Sequence, residues 1–385
     1  MLPRCIKQNS KFIFSRGSGS WVYTNRNRPL LDLTSGIGVL SLGHRHPRIC
    51  NTLCTQILNS GLHFQIFNGT IPQYPIVCEL LNKKTPKNID TFVFSPSGSE
   101  AVDNAIKIAR QYTKRKKILS IRKGFHGRTI GVAALSDNHK WKKNMGPFLG
   151  DCSISNDITK IDNDVAAIII ESTQGEGGVI TLSNSFMQQL RYNTRRNGSL
   201  LITDEIQCGI NRTGSFFDFE YSNIIPDIIL AGKGLAGGIP IGCVMSSKEI
   251  FNNSPPGSIG GTFACNPLQI VAALETLKIM EEERIKFNVI TKSQYFRFEL
   301  NELKKRFSCI KKIRGRGFMI GVEMDKEVEP LLLLCYEQGL LVLPTGNKYV
   351  IRMLPSLNIE YDELNKALDM FQAALVKFEN TTQYI

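Results

Sequence analysis

Short apolar, β-branched runs alternate with stretches of helical periodicity through the first two-thirds of the chain. Thr91–Ser95, Ile118–Ile121, Val165–Glu171, Ser199–Thr203, Asp227–Leu230 and Ile241–Met245 read as strands. Between them, Glu100–Tyr112 and Ser185–Arg196 place apolar side chains at helical spacing. Strands that are apolar almost throughout are buried on both faces. The pattern therefore predicts an α/β fold, a mostly parallel sheet covered by helices on both faces. Ligands of such sheets bind beyond the carboxyl ends of the strands, so the residues just after each strand are the ones to inspect.

After Asn266 the pattern changes. Two long helical stretches follow, Asn266–Glu283 and Arg284–Phe307. Short strands are predicted around Gly317–Glu323, Leu340–Leu343 and Tyr349–Met353, and then a final amphipathic helix over Tyr361–Glu379. This predicts a smaller α+β domain. The alternating segment Trp21–Leu33 reads as short strands that pack with it. The expected division is residues 1–45 as the N-terminal part of the small domain, 46–284 as the large domain and 285–385 as the rest of the small one.

Composition narrows the class. The chain has 385 residues, 42% hydrophobic and 21% charged, ordinary for a globular protein with a large buried core. No stretch approaches 18 consecutive apolar residues, which argues against a membrane span. The net charge of +13 raises nucleic acid or anionic substrates as ligands. The densest run, Lys114-Arg115-Lys116-Lys117, follows a helical pattern and reads as a solvated, cation-favouring helix end. Zinc-finger spacing and RNA-recognition signatures are absent, so nucleic acid is not an expected partner. Ten cysteines without a C-x-x-C pair and without a histidine cluster predict free thiols in a reducing compartment and no metal site. Arg4, Lys7, Lys11 and Arg16, with no acid before Asp32, have a transit-peptide-like composition, but folded-looking sequence begins within about ten residues.

Four places could carry chemistry. Ser95-Pro96-Ser97-Gly98-Ser99-Glu100-Ala101 joins a predicted strand to a predicted helix. Its small residues could present backbone N–H groups to an anion, or Ser97 and Glu100 could form a plain capping box. Asp204-Glu205 closes an apolar run, where a carboxylate can face a site and hold a ring nitrogen protonated; two adjacent acids also suit an exposed turn. Lys233 follows Ile228–Ala231 and precedes a Gly-rich stretch. Shelter from water would lower its pKa and activate the amine, although a surface lysine is the ordinary alternative. Phe125-His126-Gly127-Arg128 offers an aromatic face for a ring and a guanidinium for a carboxylate, or else a core residue and a surface one.

In this order and spacing the pieces resemble the class III, fold-type I pyridoxal-phosphate (PLP) aminotransferases, and acetylornithine aminotransferases in particular. The likeness runs from about Phe14 to about Phe378. It includes Leu40-Ser41-Leu42-Gly43-His44-x-His46-Pro47, Ser97–Ala101, Phe125–Thr129, Gln174-Gly175-Glu176-Gly177-Gly178 and Asp204–Gly209 with Arg212-Thr213-Gly214. Gly232–Leu235, Gly261-Thr262-Phe263 with Asn266-Pro267-Leu268, and Arg314-Gly315-x-Gly317 complete it.

The resemblance implies a large domain with a mostly parallel seven-stranded sheet, a smaller α+β domain, and a role for each matching residue. Lys233 would be the catalytic Schiff-base lysine. Asp204 would pair with the cofactor's ring nitrogen, Gln207 would bond its phenolic oxygen, and Phe125 would stack on the ring. Gly98 and Ser99 would hold its phosphate, and Thr262 would reach the phosphate in a neighbouring subunit, so the unit would be a homodimer with shared sites. Arg128 and Arg352 would hold substrate carboxylates, and Glu176 would pair with Arg352 while the amine donor is bound. The implied reaction is N2-acetylornithine with 2-oxoglutarate, giving N-acetylglutamate 5-semialdehyde and glutamate, as in arginine biosynthesis. The implied compartment is cytosol or mitochondrial matrix.

Ornithine δ-aminotransferase and 4-aminobutyrate aminotransferase are the nearest alternatives. The upstream tyrosine of the ornithine enzymes falls near Lys7, in a stretch with no tyrosine. A PLP aminomutase or a silent scaffold would be a different class; the set Arg128, Glu176 and Arg352 argues against the first, and Lys233 with Asp204 against the second. The chain departs from the family pattern at Pro96, Ser172-Thr173, Gly232 and Ala264-Cys265, none of which removes a reactive group.

Overall fold

The computed structural model describes residues 6, 8, 10–64, 66–138, 142–157 and 161–380. Of the basic N-terminal residues, Arg4 and Lys7 lie outside these. The central sheet has seven strands. From one edge they run Thr91–Ser95, Gly242–Ser246, Ile228–Gly232, Leu200–Asp204, Val165–Ile170, Lys117–Ser120 and Cys152–Ile154. The last five are parallel to one another, whereas Gly242–Ser246 runs antiparallel to both its neighbours. Every residue of Val165–Ile170, Leu200–Asp204 and Ile228–Gly232 is buried, as their unbroken apolar runs require.

The helix Gly98–Thr113 shows how sequence sets local structure. Ser97 is extended and its hydroxyl accepts the N–H of Glu100 at 3.2 Å. Only this half of the expected capping box forms. The Glu100 carboxylate lies instead beside Gly261, where a Cβ would come within 2.9 Å of Oε1. The helix buries Ala101, Val102, Ala105, Ile106, Ile108 and Ala109 against the sheet. Each valine or isoleucine so covered contributes about 1.5–3 kcal/mol. Replacing Val102 by Asp would put an unpaired charge into that contact and break it.

Lys114, in the left-handed conformation, ends the helix, but the basic run that follows is not simply a solvated helix end. The guanidinium of Arg115 folds inward, and its Nη1 donates to the carbonyls of Asn197 (2.8 Å) and Val165 (3.2 Å). Lys117 already belongs to a strand. The run therefore fastens a helix end to the rim of the sheet, which local charge could not reveal.

Besides the two-stranded hairpin of Thr173–Gln174 with Ile180–Thr181, two four-stranded sheets lie outside the central one. Phe14–Ser18, Trp21–Thr24 and Pro29–Asp32 form a meander joined in parallel by Leu340–Leu341. Ile310–Arg316, Met319–Met324, Val350–Met353 and Leu343–Pro344 form the other, all antiparallel. The stretch read as one strand, Leu340–Leu343, thus divides at Val342 and serves two sheets. The strand Ile310–Arg316 was not evident because Lys311, Lys312, Arg314 and Arg316 mask its pattern; only its first residue is fully buried. Val350–Met353 pairs with Met319–Met324, which sets Arg352 opposite Gly321. No helix among the described residues is long and apolar enough to cross a membrane.

Candidate active site

Beyond the carboxyl ends of the central strands lies a cavity of about 480 Å³. Gly98, Ser99, Phe125, Arg128, Glu176, Asp204, Gln207, Lys233 and Arg352 all line it. Nine of the ten sequence-derived candidates are therefore brought together, from six separate stretches of chain. The tenth, Thr262, does not line it. It is exposed in the stretch leading to the helix Pro267–Glu282, beside the 58% exposed Phe263.

Lys233 follows directly on the strand Ile228–Gly232. Its φ of +40° turns the chain into the single helical turn Lys233–Ala236. L-residues rarely hold such angles, and strain of this kind concentrates at functional positions. Burial pulls the Lys233 ammonium down to about 8. The Arg352 cation adds to this, whereas Glu171, Asp204 and Glu176 oppose it. A lysine held there presents a sizeable neutral fraction near neutrality and above.

Asp204 ends its strand buried. One carboxylate oxygen meets Nδ1 of buried His126 at 2.7 Å and the other accepts the N–H of Ile206 at 3.1 Å. His126 stood inside the Phe-His-Gly-Arg motif, yet its role escaped the sequence reading, which weighed only Phe125 and Arg128. Its Nε2 is buried with no hydrogen-bond partner among the described residues.

Glu171 was also missed, although it too follows a strand directly. Its Oε1 accepts the N–H of Phe125 at 2.8 Å and its Oε2 that of Gly175 at 3.1 Å. One carboxyl thus holds both the segment bearing the aromatic ring and the segment bearing Glu176. Burial pushes it up to about 7, with His126 opposing and Asp204 adding to the rise. The adjacent acid Glu205 turns away from the cavity. It takes the N–H groups of Asp218 (2.7 Å) and Phe219 (3.1 Å), and burial pushes it to about 8, with Asp218 adding. The Asp-Glu pair is divided accordingly, one acid for the site and one for the scaffold.

At the rim, Arg352 is 3% exposed. Its Nη1 donates to Gln207 Oε1 at 2.9 Å and its Nη2 to Glu176 Oε2 at 3.2 Å. Position 175 must be glycine for this to form, since a Cβ there would fall 1.9 Å from Gln207 Oε1. Arg128 also lines the cavity and is exposed. Ile37 and Val39 add an apolar wall that the sequence reading did not anticipate.

These residues fit pyridoxal phosphate. Its ring nitrogen needs a buried carboxylate, and Asp204 is one. Its aldehyde needs a partly neutral lysine, which burial makes of Lys233. Its phosphate needs a donor cradle. The first turn of Gly98–Thr113 supplies one, because Ser97 already caps Glu100 and so leaves the N–H groups of Gly98 and Ser99 for an anion. Pro96 has no N–H, but it precedes that pair and costs neither donor. At position 98 a Cβ would press within 2.9 Å of Ile206 Cδ1, so the cradle depends on glycine.

Fold and site together define a pyridoxal-phosphate-dependent α/β transferase. The family model described as "Aminotransferase class-III" matches residues 5–375. The chain is 36% identical over 361 residues to the acetylornithine aminotransferase of Bacillus cereus, covering 92% of each. It is 35% identical over 370 residues, 95% of each, to the [LysW]-aminoadipate semialdehyde/glutamate semialdehyde transaminase of Sulfolobus acidocaldarius. Among solved structures, the ornithine aminotransferase of Toxoplasma gondii ME49 superposes with a TM-score of 0.92 at 29% identity, over 98% of this chain and 93% of that one. The chain belongs to the class-III aminotransferases and is PLP-dependent.

Proposed function

We propose that the chain transfers the terminal amino group of N2-acetylornithine to 2-oxoglutarate, in two half-reactions sharing one site. The choice of donor is supported by the 36% identity to an acetylornithine aminotransferase, and the observation that carries the two half-reactions is the buried Arg352, paired with Glu176 at 3.2 Å at the edge of the cavity that Lys233 enters. An amine donor has no carboxylate beside its reacting carbon. Arg352 then needs another partner, because a buried charge left unpaired costs about 3–5 kcal/mol. Glu176 supplies that partner. 2-Oxoglutarate and glutamate carry a carboxylate there, and for them the pair opens. Arg128, an exposed residue of the cavity lining, takes the remote carboxylate of either substrate.

When bound, pyridoxal phosphate supplies an aldehyde that condenses with amines and a ring that accepts the electron pair released on proton removal. The chain's own groups do the rest. Asp204, oriented by His126, holds a proton at the ring nitrogen. Phe125 covers the ring face and Gln207 binds the phenolic oxygen. Gly98 and Ser99 anchor the phosphate far from the reacting carbon, and Lys233 Nζ moves the proton at that carbon. Thr262, exposed and away from its own cavity, serves the phosphate of a second copy in a homodimer.

The test mixes purified holoenzyme with N-acetylornithine, ornithine or 4-aminobutyrate, without 2-oxoglutarate, and follows the cofactor's absorbance. N-Acetylornithine should convert the aldehyde form fastest. Faster conversion by another amine overturns the donor assignment and leaves the class intact.

A further inference from the structure

The reaction cavity has a neighbour. A second cavity of about 410 Å³ lies on the far side of Phe125 and Glu176, and those two residues are common to both. Lys123, Asp137, Asn138 and Asn347 line it, with Gly124, Gly177 and Gly346 between them. Glu176 therefore stands as a partition, with Arg352 on one side and on the other a roomy space that these four side chains line.

The backbone of Glu176 is pinned while its side chain has room to turn. Its carbonyl accepts the N–H of Gly346 at 2.8 Å. Gly177 is packed so closely on Lys123 that a Cβ would fall 2.5 Å from the Lys123 carbonyl oxygen, and Gly175 is equally constrained against Gln207. Two amides of the second cavity lie beside the glycines that surround Glu176. A Cβ built on Gly346 would be 3.5 Å from Asn138 Nδ2 and 3.7 Å from Glu176 Cγ. On Gly178 a Cβ would be 3.6 Å from Asn347 Nδ2. Asn347 Oδ1 accepts the N–H of Tyr349 at 3.0 Å, which leaves Nδ2 to face an acceptor. The acid on this wall, Asp137, is engaged by the N–H of Lys123 at 2.7 Å and is attracted to Lys142.

We infer that the second cavity is the docking site for the Glu176 carboxylate when it leaves Arg352, with the Asn138 and Asn347 amides and the Lys123 ammonium receiving it. This rests on the exchangeable Glu176–Arg352 pair proposed above. It adds two positioning residues, Asn138 and Asn347, which touch neither substrate nor cofactor. They set how readily Arg352 is released, and so how the enzyme divides its affinity between amine donor and dicarboxylate.

The test is to place a carboxylate in the second cavity. Asn138→Asp and Asn347→Asp are made separately, each alone and in a Glu176→Ala background, and both half-reactions of the holoenzyme are timed. Like charge repels the incoming carboxylate, so each single variant should weaken the glutamate half-reaction roughly tenfold, mainly through KM. The N-acetylornithine half-reaction should stay within about twofold. In the Glu176→Ala background the same substitutions should have no effect on glutamate, because nothing remains to be docked. An undiminished loss in that background, or equal loss in both half-reactions, overturns the docking site. If Glu176→Ala alone leaves the ratio of the two half-reactions unchanged, the exchangeable pair itself fails, and that result is separable from the first. Two independent positions keep the test open should one variant not fold.

Discussion

The floor and the rim of the cavity are built on opposite plans. The floor consists of Asp204, His126, Glu171 and Lys233, at or just beyond ends of the central strands, and each carboxylate is held by two or more groups. The rim pairs Glu176 with Arg352, drawn from a loop beyond the large sheet and from a strand of a small one, through one bond of 3.2 Å. Preorganised groups suit chemistry that both half-reactions share. A single exchangeable ion pair suits a choice that must be made afresh for each substrate. Changes to the floor should therefore slow both halves alike, and changes to the rim should alter their ratio.

The largest effect is expected at Lys233. Lys233→Ala should lower both half-reactions by roughly 10²–10⁴-fold, the range typical of a lost proton-transfer group. Single-turnover absorbance would check this, and a loss confined to one half would break the comparison. Next comes Asp204→Asn, expected to cost on the order of 10²-fold in both halves, since it removes a preorganised charge at the ring nitrogen.

A smaller effect tests the electrostatic link between floor and rim. Burial and then the Arg352 cation lower Lys233 to about 8, so the apoenzyme should capture pyridoxal phosphate faster as pH rises through about 8. In Arg352→Met one lowering cause is gone, and that rise should move to higher pH. An unmoved profile would show that burial acts alone.

The smallest expected effect concerns the scaffold acid. Glu205 stands at about 8 in the folded protein, above an ordinary glutamate, because burial and then Asp218 disfavour its charged form. Its contribution to stability is therefore full at pH below the ordinary range near 4.5 and is lost as pH rises through about 8. Glu205→Gln should flatten that fall in urea-unfolding midpoints without altering the ratio of half-reactions. An equally steep fall would assign it to the neighbouring Asp218.

How much of this could be read from the sequence followed the same division. The floor was largely legible, because apolar runs mark the strands and the chemistry sits one residue past them. Asp204 and Lys233 needed only that rule. His126 and Glu171 sat inside quoted stretches, but their value lies in a partner 78 residues away for one and backbone N–H groups of another segment for the other. Local pattern carries no trace of such contacts. The division of Leu340–Leu343 between two sheets and the inward turn of Arg115 escaped for the same reason. The second cavity was invisible because Lys123, Asn138, Glu176 and Asn347 come from four segments that only the fold assembles.

The most direct test of the account compares one floor variant with one rim variant. The ratio of the N-acetylornithine to the glutamate half-reaction would be measured in Asp204→Asn and in Glu176→Gln holoenzymes. The ratio should be unchanged at lower absolute rates in Asp204→Asn and shifted toward glutamate by about tenfold in Glu176→Gln, as loss of a buried ion-pair partner implies. A ratio that shifts in the floor variant and holds in the rim variant would contradict it.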